Sequence, residues 1–153
     1  YADGVIYMCT GYFGPEMAAI KVDGLGNVTD SHVLWHIKKG VPENPSPLIH
    51  EGRIFFVSDK GIATAVEAGT GKQIWSRRLG GNFSASPILA GGHIYFCNEQ
   101  GETYLIKPGP TAGPVRKQTL DGHILASPAA VGKSLYIRTD KALYCLEEAS
   151  ISE

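Results

Sequence analysis

Apolar and polar positions along the chain follow the pattern of short β-strands separated by turns. The segments RIFFV, HIYFC and SLYI are almost continuously apolar, as expected of strands with both sheet faces covered. The stretches between them are rich in glycine, proline, serine and aspartate, which favour turns. No stretch of useful length has the 3.6-residue period of a helix. The pattern therefore predicts an all-β chain of about 14 strands, without a helix longer than one turn.

These strands belong to a repeated unit. Ser-Pro pairs begin at Ser46, Ser86 and Ser127, at steps of 40 and 41 residues. Eight residues after each serine comes an isoleucine or leucine, and an aromatic residue follows it. The opening segment YADGVIYMC fits the same register, and its own Ser-Pro segment is expected before Tyr1. The chain thus contains four copies of one unit, at about residues 1–45, 46–85, 86–126 and 127–153.

Each unit is predicted to contain up to four short strands. In the second copy these are SPLIHEG, RIFFVSD, GIATAVEA and KQIWSRRL. A four-stranded unit repeated at this length is typical of a β-propeller blade. We therefore predict a single all-β domain over residues 1–153. It is a partial or half β-propeller of about four WD40-like blades.

The segment AVEAGTGKQIW, residues 65–75, contains a Gly-Lys pair that invites comparison with a phosphate-binding loop. Such a loop requires G-x-x-x-x-G-K-[ST], but Val66 occupies the position of the first glycine and Gln73 follows Lys72. The alignment of the copies instead predicts a turn around Lys72 between two strands. The large apolar ring of Trp75 is then expected to pack against the neighbouring blade.

The same segment resembles the tryptophan-docking motif A-x-[DE]-x-x-T-G-K-x-x-W of the pyrroloquinoline-quinone (PQQ) repeat family of β-propellers. The first copy has a stretched form of this motif, whereas the third copy has Val115 or Arg116 where the tryptophan is expected. The segments from Gly81 and Ile124 also resemble the C-terminal blades of secreted PQQ-like repeat proteins of the planctomycete type. The residues assigned to the structural repeat motif are Ala65, Glu67, Thr70, Gly71, Trp75, Trp35, Pro47, Pro87 and Pro128.

The resemblance raises the question of quinone chemistry. Enzymes of this family hold PQQ with a calcium ion, a stacking tryptophan and a disulfide between adjacent cysteines, and an aspartate acts as the base. No two cysteines of this chain are adjacent, and both tryptophans belong to the repeat motif. The acidic residues expected in solvated turns are Asp59, Glu99, Glu102, Asp121 and Asp140. We therefore expect no catalytic, cofactor-binding or metal-binding residues and no cofactor.

The remaining reactive residue types have structural interpretations. Cys9, Cys97 and Cys145 lie in apolar segments and match no zinc spacing, so buried thiols are expected, with a reactive thiol or one disulfide as the alternative. The Ser-Pro serines are expected to bond backbone groups at strand starts. His50 is expected to be a partly exposed turn residue, and no histidine has a metal-like spacing with a carboxylate or thiol.

Composition gives no support to several classes of function. Charged residues make up 19% of the chain and the net charge is −1, so nothing indicates binding to nucleic acid or an anionic membrane. The chain contains no run of about 18 apolar residues, the length needed to span a bilayer. The favoured function is a non-catalytic binding or scaffold module, which presents loops and a central funnel to a protein or small ligand. The alternatives are a fragment of a PQQ-dependent dehydrogenase with its cofactor ligands outside this chain, and the sensor domain of a serine/threonine kinase-like protein.

Location and assembly are also expectations from the resemblance and the repeat count. The resemblance implies an exported bacterial protein, periplasmic or extracellular, with a protein partner whose identity the sequence does not give. Four blades span only part of a ring, so the side faces of the first and last blades would be exposed and apolar. We expect a homodimer that closes the propeller, in preference to a compact four-bladed monomer.

Overall fold

The computed structural model describes residues 1–11 and 14–147, which form fourteen strands in four antiparallel sheets. The first sheet contains β1 (Val5–Thr10), β2 (Glu16–Lys21) and β3 (Val33–Ile37). The second contains β4 (Leu48–His50), β5 (Arg53–Val57), β6 (Ile62–Glu67) and β7 (Gln73–Arg78). The third contains β8 (Ile88–Ala90), β9 (His93–Cys97), β10 (Glu102–Ile106) and β11 (Arg116–Thr119). The fourth contains β12 (Ala129–Val131), β13 (Ser134–Arg138) and β14 (Leu143–Glu147).

Each sheet is one blade of a partial β-propeller, as the repeat predicted. Its strands lie in chain order and pair only with their neighbours. The short strand after each Ser-Pro pair lies at one edge of its blade. The strand beside it carries the apolar and aromatic residues that recur in each copy of the repeat. The register is the same in the last three blades, which align Leu48 with Phe55, Ile88 with Tyr95 and Ala129 with Tyr136.

Alternation along the second strand of each blade decides which neighbour its side chains contact. In β5, Ile54 and Phe56 pack against the first blade, whereas Phe55 and Val57 pack against the third. All four side chains are fully buried because both faces of this sheet are covered. The segment RIFFV is therefore continuously apolar because neighbouring blades cover both faces of its sheet, as the sequence pattern predicted.

The hydrophobic core is divided into three clusters, and each lies between two consecutive blades. Phe55 and Phe96 centre the cluster between the second and third blades. Among the residues that the structure describes, no such cluster joins the first blade to the fourth. The four blades therefore form an open arc, and a closed compact ring of four blades is not observed. None of the described residues forms a helix that is long and apolar enough to cross a membrane.

Candidate functional site

The two tryptophans join consecutive blades. The Trp35 indole N–H donates to the carbonyl oxygen of Ala68 in the second blade at 2.9 Å, and the Trp75 N–H donates to that of Gly109 in the third at 3.1 Å. Each ring therefore packs against the connection between the third and fourth strands of the next blade. Gly71 suits this contact, because its φ is +68° and a Cβ there would lie 2.8 Å from the Trp35 ring.

The segment around Lys72 is a turn whose shape is fixed by its own side chains. The Thr70 hydroxyl donates to the Glu67 carboxylate at 2.8 Å and accepts from the Lys72 backbone N–H at 3.2 Å. The Gly71 N–H donates to the Glu67 carbonyl at 2.8 Å. The Lys72 side chain is exposed. Ala65, the first residue of the motif, is buried opposite Trp75.

The contact between the third and fourth blades has no tryptophan. Arg116 pairs with Leu105 at the register position where Trp75 pairs with Ala65, and it is exposed. The alternative that the sequence left open is thus resolved in favour of Arg116. Val115 instead packs at the margin of the core between the second and third blades.

The Ser-Pro serines form hydrogen bonds from blade to blade. The Ser46 N–H donates to the hydroxyl oxygen of Ser86, and the Ser86 N–H donates to that of Ser127, both at 2.9 Å. The prolines that follow lack an N–H and fix φ at the start of each strand. Pro87 and Pro128 are buried and Pro47 is half-buried. These serines are structural acceptors, and their hydroxyls are already engaged at the two contacts that the structure shows.

One side of the propeller carries all the links between blades, and we call it the connector face. The links are residues 38–47, 79–87 and 120–128. Antiparallel pairing brings the turns after the second strands, residues 58–61, 98–101 and 139–142, to the same side. The opposite side, which carries the loop 22–32 and the turn 68–72, is called the hairpin face.

Three of the turn carboxylates on the connector face accept hydrogen bonds from the links. Asp59 and Glu99 are half-buried, whereas Asp140 is exposed, as expected of a solvated turn residue. Asp59 accepts hydrogen bonds from the backbone N–H groups of Glu43 and Asn44 at 2.7 and 3.2 Å. Glu99 and Asp140 occupy the same repeat position as Asp59. Their partners are the Ser84 hydroxyl at 2.5 Å and the His123 N–H at 2.7 Å. The bond from His123 also lowers the pKa of Asp140.

The second and third links, residues 79–87 and 120–128, are bonded to the preceding blade as well. The Phe83 N–H donates to the Asp59 carbonyl at 2.9 Å, and His123 Nδ1 lies 2.8 Å from the Glu99 carbonyl oxygen. Because a carbonyl oxygen can only accept, the proton of that bond is on Nδ1, and Nε2 is directed elsewhere. We call these bonds between the links and the neighbouring turns the connector clamp. The first link is bonded to the turn that follows it, and the second and third links are bonded to the turns on both sides.

Glu102 also departs from the expectation of a solvated turn residue, because it begins β10 and lies in a bonded group. It accepts from Lys117 Nζ at 2.7 Å, the Tyr104 hydroxyl at 2.6 Å and the Asn98 amide at 2.9 Å. These bonds lower the pKa of Glu102 from 4.5 to about 2. Burial, with a smaller contribution from Glu102, raises the pKa of Tyr104 to about 12. Asp121 is exposed as expected and pairs with Lys141.

The three cysteines differ in exposure, although their sequence contexts are alike. Cys97 is fully buried and Cys9 is half-buried, and burial raises the pKa of both thiols, that of Cys9 to about 11. Cys145 is exposed, which corrects the expectation of burial. It lies on the face of the fourth blade that points away from the third. No disulfide joins them, and no group of three or more metal-ligating side chains occurs among the described residues. His50 ends β4 and is half-buried.

The surface formed by the described residues includes a groove and a smaller pocket. A groove of about 430 Å³ lies between the first and second blades and is lined by Tyr1, Met8, Ser46 and Ile49, among others. A smaller pocket of about 200 Å³ on the connector face of the fourth blade is lined by His123, Leu125, Ala126, Arg138, Thr139 and Asp140. Their lining mixes aromatic, aliphatic and polar groups. Concave surfaces of this mixed composition suit binding.

Solved structures provide the comparison for this arrangement. The chain is similar to BamB from Moraxella catarrhalis, with a TM-score of 0.73 and 16% identity over 94% of this chain and 43% of that one. It is also similar to a quinohemoprotein alcohol dehydrogenase from Pseudomonas putida, with a TM-score of 0.65 and 15% identity over 89% of this chain and 27% of that one. A europium-containing methanol dehydrogenase gives a TM-score of 0.61 and 13% identity over 79% and 24%.

These similarities establish the fold, and the chain spans less than half the length of each of these proteins. No curated protein matches the chain. The family model described as outer membrane protein assembly factor BamB matches residues 25–106, which is more than half of the chain. That segment includes the docking tryptophans, the turn between β6 and β7 and two Ser-Pro strands. The chain therefore belongs to the BamB-like family of PQQ-repeat β-propellers.

Proposed function

We propose that the chain is a non-catalytic binding or scaffold module that presents the connector face to a protein partner. The observation that carries the proposal is the connector clamp. Asp59, Glu99 and Asp140 are bonded to the links between blades, and these bonds hold the loops in one arrangement. Loops fixed on a rigid frame need little ordering when a partner binds, which favours recognition.

The connector face also offers suitable contact groups. Leu125 is 62% exposed and lines the fourth-blade pocket together with Arg138, and the surrounding link carries polar side chains. An exposed apolar residue next to an arginine is a common composition of protein–protein contacts. The family description names an assembly factor, which supports a scaffold role in preference to a catalytic one.

Photo-crosslinking from matched leucine positions tests this assignment. A photoreactive residue at position 125 samples the connector face, and one at Leu25, which is 97% exposed in the loop 22–32, samples the hairpin face. We expect discrete crosslinked products from position 125 in cells of the source organism and none from position 25. Equal products from both positions, or none from position 125, would contradict the connector-face assignment.

The dehydrogenase alternative places the cofactor ligands outside this chain, so its test uses the intact protein that contains these blades. Two of the similar structures are dehydrogenases, so a shared fold alone leaves this alternative open. Titration with PQQ and calcium, followed by quinone absorbance, separates the two functions. Our proposal expects no saturable spectral change, and a stoichiometric change would favour the dehydrogenase. The kinase-sensor alternative depends on sequence that flanks these blades, and no feature of the four blades favours it.

We also propose that the protein acts outside the cytoplasm, in the periplasm or extracellularly. The support is the resemblance to secreted PQQ-like repeat proteins and the membership in a family named for outer membrane assembly. Fractionation of source cells with an antibody to the chain tests this location. Recovery in the cytoplasmic fraction would contradict it.

A further inference from the structure

The second blade lacks a carboxylate that the first and third blades provide beside their outer strands. The outer strand of these three blades is the last strand of the sheet, β3, β7 or β11. In the first blade Lys38 Nζ, directly after β3, lies 3.8 Å from the Glu16 carboxylate, and in the third blade Lys117 Nζ lies 2.7 Å from that of Glu102. Both glutamates begin the strand that pairs with the outer strand. In the second blade this position is Ile62, which cannot neutralise a cation.

The outer strand of the second blade nevertheless carries two cations. Arg77 and Arg78 end β7, and Arg78 lies opposite Ile62 in the register. Both side chains are exposed, and neither forms an ion pair with a residue that the structure describes. The Arg77 guanidinium donates to the Gly113 carbonyl oxygen at 2.7 Å, which fixes the side chain without neutralising its charge. The end of β7 therefore carries uncompensated positive charge.

The same strand presents an open edge of backbone groups. Among the described strands, β6 alone pairs with β7. The Leu79 N–H donates to the Gly61 carbonyl oxygen at 2.8 Å directly beyond this ladder. Because bonded positions alternate along an antiparallel pair, the N–H and C=O of Ser76 and Arg78 are directed to the open edge. The neighbouring blades cover the two faces of this sheet and leave this edge free.

We propose that the outer edge of β7 is a docking site for an extended acidic segment of a protein partner. The backbone of the segment pairs with Ser76 and Arg78, and two successive carboxylates lie beside Arg77 and Arg78 on the two faces of the strand. Opposite charges on neighbouring strands stabilise such a pair, whereas like charges destabilise it. An acidic segment is therefore favoured over a second copy of β7, which would set arginine against arginine.

This site lies on the second blade, apart from Leu125 on the fourth. The inference adds the chemistry of a partner segment to the proposed binding function, on which it rests for the kind of partner. Its test uses the purified chain and a synthetic peptide. A negative result there would leave the crosslinking test from position 125 unaffected, so that the failure of either proposal can be recognised separately.

The peptide acetyl-Val-Thr-Glu-Glu-Val-Thr-amide is the probe, because β-branched residues favour an extended chain and its two glutamates match the two arginines. Added to the 15N-labelled chain, it is expected to bind saturably and to slow hydrogen exchange of the Ser76 and Arg78 amides. The amides of Trp75 and Arg77 are directed to β6 and serve as internal controls that should not change. The same peptide with glutamine in place of both glutamates should bind about fivefold more weakly.

Variants of the chain locate the charge that the peptide recognises. Arg78→Gln should weaken binding of the acidic peptide about threefold. Ile62→Glu should weaken it as well, because it places a carboxylate of the chain opposite Arg78. The fold is expected to accept this change, since glutamate begins the equivalent strand of both neighbouring blades. Lys72→Gln removes the same charge just before the other end of β7 and should leave the affinity unchanged.

Four outcomes would overturn the proposal. The first is absence of saturable protection at the Ser76 and Arg78 amides, and the second is equal binding of the glutamate and glutamine peptides. The third is an equal loss of affinity in Lys72→Gln and Arg78→Gln, which would indicate unspecific attraction to cations. The fourth is protection of these amides without peptide that increases with protein concentration, since a second copy of the chain would then be the occupant.

Discussion

At the scale of single residues, Trp75 contributes both buried aromatic surface and a hydrogen bond to the next blade. Its ring is almost fully buried against Phe55, with 6.0 Å between the ring centres, and its N–H is satisfied by the Gly109 carbonyl. The tryptophan could be predicted from its 40-residue spacing to Trp35. The identity of its acceptor could not, because Gly109 lies in a segment of the third copy that departs from the motif.

Replacement of Trp75 tests this contact. We expect Trp75→Ala to reduce the free energy of unfolding by about 3 kcal/mol or more, the range for truncating a buried large aromatic residue. Lys72→Ala, three residues earlier on the exposed turn, should cost less than about 0.5 kcal/mol. Urea unfolding followed by fluorescence of the remaining Trp35 measures the first variant, and circular dichroism measures both. Greater sensitivity at Lys72 would show that the turn has been assigned wrongly.

Glu102 gives a prediction with a defined pH dependence. Its folded-state pKa of about 2 lies below its ordinary value of 4.5, because Lys117, Tyr104 and Asn98 donate to the ionised carboxylate. The stabilisation is therefore complete above pH 4.5 and is lost as the pH falls towards 2. At pH 7, Glu102→Gln should cost about 1 kcal/mol, a value reduced for partial exposure to solvent.

The difference in unfolding free energy between the wild type and Glu102→Gln should shrink between pH 4.5 and 2. Asp121→Asn is the matched control, since Asp121 also pairs with a lysine but on the exposed surface. It should change stability by less than about 0.5 kcal/mol at any pH. A Glu102→Gln penalty that persists unchanged at pH 2.5 would mean that the carboxylate charge is not its source.

At the scale of elements, the links between blades are held by groups that the sequence presented as ordinary turn residues. The carboxylates at positions 59, 99 and 140 follow each Ser-Pro serine by the same 13 residues. That recurrence was the available signal, but composition alone assigns a turn carboxylate to solvent. The hydrogen-bond partners of these carboxylates lie 15 to 17 residues away in the chain, and only the folded blade brings them together. The strands themselves were predictable because their apolar pattern is local.

Removal of one clamp should loosen one link. In Asp59→Ala the N–H groups of Glu43 and Asn44 lose their acceptor, so their amide exchange should accelerate. We expect a stability loss of about 1 kcal/mol. Asp30→Ala, in the exposed loop between β2 and β3, is the control and should leave both quantities unchanged. Hydrogen exchange monitored by NMR measures the effect, and unchanged exchange at both amides would exclude a clamp at Asp59.

At the scale of the whole molecule, burial of equivalent residues depends on whether a neighbouring blade covers their face of the sheet. Ile54 and Phe56 are buried by the first blade, but Ile6 and Met8, at the same repeat positions, are 44% and 42% exposed. Cys145 is exposed for the same reason, which no local pattern could reveal. The fourth blade also has Arg138 where the second and third have the buried residues Val57 and Cys97. Sequence therefore predicted the blades and the exposed side faces of the first and last ones, but it did not predict that Cys145 lies on such a face.

The end faces lead to a prediction about assembly of the 153-residue chain. Leu143 is 70% exposed on the outward face of the fourth blade, and Met8 is exposed on that of the first. Glu16 lies on the first face and Arg138 on the second, so a head-to-tail contact would bring opposite charges as well as apolar groups together. Two copies would bury both faces twice and close a ring with twofold symmetry, which lowers the cost of exposed apolar area.

Light scattering coupled to size exclusion reports this assembly directly. We expect a mass that rises with concentration towards twice the 16.4 kDa of one chain. Met8→Glu and Leu143→Glu each place a charge in the expected contact and should return the mass to that of one chain, whereas Leu25→Glu should not. Leu25 is the suitable control because it is fully open on the hairpin face, away from both blade faces. A mass of one chain at high protein concentration would rule out the dimer, because the apolar end faces would then be tolerated in solvent.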